Sequence, residues 1–148
     1  MTGTIERTKR GDYRRFQAIS TRWMDNDVYG HVNNVHYYSY FDTAIAHFLM
    51  REGGLDPWRS EVIGFCVESA CRFRRAVRFP ERITAGLRVA KLGRTSVRYE
   101  IGLFRDDDQE TAADGYFVHV FVTRDDQRPA SIPPAFRAAL ARLVTDPA

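Results

Sequence analysis

Two carboxylates, a glycine, a histidine and two adjacent asparagines are gathered in Asp25-Asn26-Asp27-Val28-Tyr29-Gly30-His31-Val32-Asn33-Asn34. They stand just before the stretch whose apolar spacing most clearly predicts a helix. The first turn of a helix carries free backbone N–H groups and the positive end of the helix dipole. Such an end can hold a carbonyl oxygen that becomes negative in a transition state. A carboxylate a few residues upstream can face the same carbonyl carbon, and either attack it or activate a water. Gly30 lets the chain turn sharply between carboxylate and helix. Those parts suffice for acyl transfer from a thioester, whose leaving group needs little protonation. The same residue types also serve as turn formers and helix caps without any catalysis. Asp25, Asp27, His31 and His36 are of metal-ligating types, but loop spacing fixes little about coordination. His47 and His119 read as packed or surface groups in regular elements.

The elements that must position this cluster follow from periodicity. Tyr37, Tyr40, Phe41, Ala44, Ile45, Phe48 and Leu49 fall at i, i+3, i+4, i+7, i+8, i+11 and i+12, one apolar face of a helix. Asn33 or Asn34 suits the N-cap, and Gly53-Gly54 the stop. The spacing predicts roughly 18 residues, about 27 Å. Tyr13 to Trp23 mixes β-branched, aromatic and polar residues and could form a strand. Alternating patterns predict further strands around Phe65–Phe73, Ile83–Val89 and Val97–Leu103, and Tyr116–Thr123 reads as a nearly continuous central strand. Leu92-Gly93-Arg94 and the three aspartates 106–108 break the pattern as turns. Pro134 to Leu143 reads as a short amphipathic helix. The expectation is an α+β layer: one long helix against an antiparallel meander of at least four strands. One helix covers only part of such a sheet, so the remaining apolar surface predicts a dimer.

The bulk numbers agree with one globular domain. The chain has 148 residues, 44% hydrophobic and 28% charged, with a net charge of +3. The mild basicity suits an anionic ligand, and with no basic stripe it argues against nucleic acid. Cys66 and Cys71 make no metal or redox signature. No stretch approaches a membrane span or a signal peptide. The expected location is cytoplasmic, with reduced thiols. Residues 1–11 read as a flexible leader and 12–148 as a single domain.

The run RWMDNDVYGHVNNVHYYSYFDTA, with LGRTSVRYEIGLFR and ADGYFVHVFVTRDDQRPASIP after it, resembles the 4-hydroxybenzoyl-coenzyme A thioesterase family of the hotdog-fold superfamily. The pattern aromatic-x-Asp-x-Asp-x-x-Gly, leading to a Tyr in the long helix, maps to Trp23, Asp25, Asp27, Gly30, His31 and Tyr37. The likeness covers about residues 12–143. It implies a sheet of about five strands wrapped around one central helix. It also implies homodimers or homotetramers with active sites at subunit interfaces. An acyl-coenzyme A would be the substrate, with no cofactor, metal, nucleic acid or membrane partner. Asp27 takes the place of the catalytic carboxylate, as nucleophile or general base. Backbone N–H at Asn34 or Val35 would hold the thioester oxygen, and Asp25 would shape the loop. Arg94 matches a basic region that meets coenzyme A phosphates, with Lys91 a second candidate. Tyr37, Tyr38, Phe41 and Phe65 are the expected walls of the acyl pocket.

GHVNNVHYYSYFD also resembles plant-type acyl-acyl-carrier-protein thioesterases. Those carry an Asn two residues after the Asp; Tyr29 stands there instead, although His31 is kept. His31 would then orient the loop or Asp27. A related hotdog subgroup places its acid on the helix, where this chain offers Asp42. Three functions therefore compete: acyl-coenzyme A hydrolysis, acyl-carrier-protein hydrolysis, and acyl binding without turnover.

Overall fold

The computed structural model describes residues 7–145. Its elements are β1 (Arg15–Ser20), α1 (Asn34–Glu52), β2 (Val62–Phe73), β3 (Arg82–Leu92), β4 (Ser96–Arg105), β5 (Ala113–Thr123) and α2 (Pro134–Ala141). The five strands form one antiparallel sheet in the order β1-β3-β4-β5-β2. The expected meander is therefore shorter than the sequence pattern predicts. Only β3, β4 and β5 follow one another in space. β2 crosses to the far side of β5 and forms an edge. Alternation identifies strands, but it carries no information about which strand each one pairs with.

α1 runs 19 residues, about 28 Å. The seven residues of its apolar face are the seven it buries. They pack on the inward side chains of β3, β4 and β5, among them Leu87, Val97, Ile101, Leu103, Phe117 and Phe121. Gly115 leaves room for the helix face: a Cβ there would meet the Phe41 ring at 2.8 Å and collide with the Ala70 carbonyl oxygen. α2 closes the far end, with Phe136 against Phe121. One helix in the curve of a five-stranded sheet is the hotdog arrangement that the resemblance implies.

Residues 1–6 of the expected leader lie outside the described residues. Arg7 to Gly11 lie against the β4–β5 turn. The guanidinium of Arg7 donates to the Thr111 carbonyl, and that of Arg10 to the Asp108 and Asp106 carbonyls. β2 is mostly exposed: Phe65, Val67 and Phe73 each keep about half their surface, at 50%, 55% and 49%.

Candidate active site

The polar segment folds as a small hairpin between β1 and α1. Asn33 N–H donates to the Asp25 carbonyl, Asn26 bridges Val32, and Asp27 N–H donates to the His31 carbonyl. The tip is Val28-Tyr29-Gly30. Gly30 N–H donates to the Asp27 carbonyl, and Gly30 sits at φ 80°. This is a three-residue hairpin loop, a tight turn closed by a left-handed residue. The Asp-x-x-Gly spacing is thus explained first by turn chemistry. Asp27 Oδ1 takes part, accepting from Tyr29 N–H at 2.9 Å. Among the described residues the other oxygen, Oδ2, has no hydrogen-bond or ion-pair partner.

Asp25 holds the hairpin to the helix. It is fully buried, at 0% exposure. Its carboxylate accepts the Tyr40 hydroxyl at 2.6 Å, Arg22 N–H at 3.0 Å and Arg22 Nε at 2.9 Å. Burial opposes its ionisation, but Tyr40 and Arg22 outweigh burial and hold its pKa below the ordinary value. Asp25 thus shapes the loop, as expected. From the other side, Val32 N–H donates to the Val77 carbonyl and Phe79 N–H to Asn26 Oδ1. The hairpin is fixed at both ends.

The helix start divides the two expected donors. Asn33 is the N-cap, and its side chain accepts Val35 N–H at 3.1 Å. Asn34 N–H has no partner among the described residues. So the first turn offers one free donor, while the second is already held by the cap. His31 is exposed. Among the described residues no group of three or more His, Cys, Asp or Glu side chains is arranged to hold a metal ion.

The remaining candidates are scattered. Tyr37 and Phe41 are core residues, 4% and 0% exposed, with Tyr37 edge-on to Phe73 at 4.9 Å and Phe41 edge-on to Phe117. Tyr38 is half-buried over Phe41. Lys91 and Arg94 stand at the opposite end of the sheet from the hairpin. The hairpin follows Ser20, which pairs with Arg82 at the start of β3. Lys91 lies nine residues on, about 30 Å along the strand. Phe65 belongs to that far end too, paired with Val120 as Ser96 is. None of these three is brought to the Asp27 of its own chain. Arg94 there donates to Ser131 Oγ at 3.0 Å.

A further polar group, read from the sequence only as packed or at the surface, is packed. His119 on β5 is 6% exposed, and its Nδ1 has no hydrogen-bond partner. It lines a cleft between α1 and β2, where Asp42 stands at the helix rim. A lone histidine inside a strand carries no sign of such a setting. Gly64, which marks a close approach, lies just before the predicted Phe65–Phe73 pattern, and only the structure places it inside β2.

A protein of Pseudomonas aeruginosa strain PAO1, PA5185, is 54% identical, covering 95% of this chain and 98% of its own with a TM-score of 0.93. A second P. aeruginosa protein, PA2801, is 28% identical over 86% of this chain and 98% of its own, with a TM-score of 0.81. The DHNA-CoA thioesterase of Staphylococcus aureus is similar in fold, with a TM-score of 0.76 at 18% identity over 86% of this chain and 88% of its own. No curated protein sequence matches the chain. The model of the thioesterase-like superfamily matches residues 21–140, from the first residue after β1 to the last turn of α2. That span takes in the hairpin, α1 and β2 to β5, and the chain belongs to the thioesterase-like superfamily.

Proposed function

We propose that the protein hydrolyses acyl-coenzyme A thioesters to a free acid and coenzyme A, with Asp27 as the working carboxylate. One observation carries this reading. Asp27 holds one oxygen in the turn and leaves the other free, on a hairpin anchored beside a helix start whose Asn34 N–H is also free. The thioester oxygen accepts Asn34 N–H and the dipole of α1 stabilises the charge that develops there. Asp27 either attacks the carbonyl carbon, giving an acyl-aspartate that water then cleaves, or takes a proton from the attacking water. In both routes the C–S bond breaks, the thiolate leaves and takes a proton, and one water is consumed.

The active unit is a homodimer or a homotetramer. Exposed apolar groups support this on β2, on the turn before the hairpin, where Trp23 is 76% and Met24 70% exposed, and at the hairpin tip, where Val28 is 94% and Tyr29 82% exposed. A long open strand edge invites pairing with another copy. Lys91, Arg94 and Phe65 then serve a site through a second copy. Among the described residues no helix is long and apolar enough to cross a membrane. The two free cysteines suit a reducing compartment, the cytoplasm.

The test is thiol release from short, medium, long and aryl acyl-coenzyme A esters, wild type beside Asp27→Asn. Asparagine keeps an Oδ1 acceptor for Tyr29 N–H, so the turn survives while the carboxylate is lost. A fall in kcat of about 10²- to 10⁴-fold is expected. Full kcat in the variant rules Asp27 out. Selective turnover of the matching acyl-carrier proteins moves the substrate to that class.

A further inference from the structure

A buried polar atom without a partner is costly, and a native protein keeps one only for a reason. The described residues hold two side by side. Tyr99 is fully buried and its hydroxyl is unpaired; His119 Nδ1 is unpaired as well, and the two rings meet edge-on at 5.2 Å. The imidazole lines a cleft of about 230 Å³ walled by Ile45 and Leu49 of α1, Leu55 of the following loop and Ile63 of β2, with Asp42 at the rim. A Cβ at Gly64, also on the wall, would lie 2.7 Å from Nδ1. Any larger residue at 64 would push the ring aside, so glycine keeps the strand close and the nitrogen in place.

We propose that this cleft is a subsite for the distal part of the acyl group, and that His119 hydrogen-bonds an uncharged polar substituent there, a hydroxyl or keto oxygen. The proposal rests on the thioester-hydrolase reading. Its walls are apolar, which fits the hydrocarbon part of an acyl chain. The imidazole favours a neutral guest: burial pushes the His119 pKa down to about 4, so the ring is uncharged at neutral pH. Gly64 closes off Nδ1, and the accessible ring nitrogen is Nε2, which has no hydrogen-bond partner among the described residues; in a neutral imidazole it meets a hydroxyl as donor or as acceptor, according to tautomer. Position sets where the substituent lies. Asp42 follows Asn34 by eight residues, about 12 Å along the helix. A chain whose carbonyl sits at Asn34 therefore reaches the cleft well beyond its first carbons.

The test uses wild-type protein and non-hydrolysable S-alkyl-coenzyme A thioethers with octyl, decyl and dodecyl chains, each with and without a terminal hydroxyl. Calorimetry should show at least one hydroxylated chain binding about 3- to 10-fold tighter than its plain partner, the range of one hydrogen bond. His119→Phe should remove the preference, with folding checked by thermal melting. Should that variant fail to fold, ¹⁵N spectra of the wild-type imidazole decide instead: the His119 nitrogens should shift with the hydroxylated chain and not with the plain one. No preference in wild type, or a preference that survives in His119→Phe, overturns the proposal while thiol release from plain esters still upholds the hydrolase. Absence of both binding and thiol release removes the hydrolase reading and this inference with it.

Discussion

Tyr40→Phe tests the anchor that sets the Asp27 hairpin on the helix. The change removes one oxygen from a buried site. That oxygen donates to Asp25 Oδ2 at 2.6 Å, and Asp25 has no solvent to replace it. A hydrogen bond to a charged group contributes about 1.5–3 kcal/mol, and Arg22 still pairs the carboxylate, so the loss should be about 2 kcal/mol. For a domain of this size that lowers Tm by about 4–8 °C. The pH dependence gives the loss a signature. Asp25 titrates below its ordinary value in the folded chain, since Tyr40 and Arg22 outweigh burial. The unfolded chain, with an Asp pKa of about 3.9, thus binds its proton first. The stabilisation is fully present above about pH 4 and is lost as pH falls through the lower folded value. Thermal melts of wild type and variant, followed by circular dichroism, should differ fully at pH 7 and converge in acid. A deficit under a degree at pH 7 would refute the anchor. A deficit of the same size at pH 3 would assign the loss to packing instead of to the ionised carboxylate.

Asn33→Ala removes the cap of α1 and should cost about 1 kcal/mol by chemical denaturation; it also frees Val35 N–H, so a rise in kcat would identify that group as a second donor. Gly30→Ala forces a side chain into the left-handed region at φ 80° and should cost about 1–2 kcal/mol, with Gly30→Asn milder because Asn tolerates that conformation. Equal losses in the two would mean that the turn itself had rearranged. Phe65→Lys with Val67→Lys places two charges on the exposed β2 edge and should halve the mass seen by light scattering; an unchanged mass would exclude this edge as the contact.

Local chemistry made much of this protein legible in its sequence. The seven buried residues of α1, its Asn33 cap and the Asp27-to-Gly30 turn rest on periodicity and short-range hydrogen bonding, which act within a few residues. The family motif lies in the same stretch, so the candidate carboxylate could be named without coordinates. What lay beyond reach depends on distant pairings. β2 joins β5 and not β3, which places Phe65 at the far end of the sheet. The β3–β4 turn carries Lys91 and Arg94 to that end as well, about 30 Å along the strand from the hairpin. Strand alternation says which face a residue takes, never which neighbour. Only tertiary structure shows that Asp25 is buried under Tyr40 and that His119 lies unpaired beside Gly64. Those facts are set by which groups meet across the fold, and side chains far apart in sequence compete for the same space only once the chain is packed.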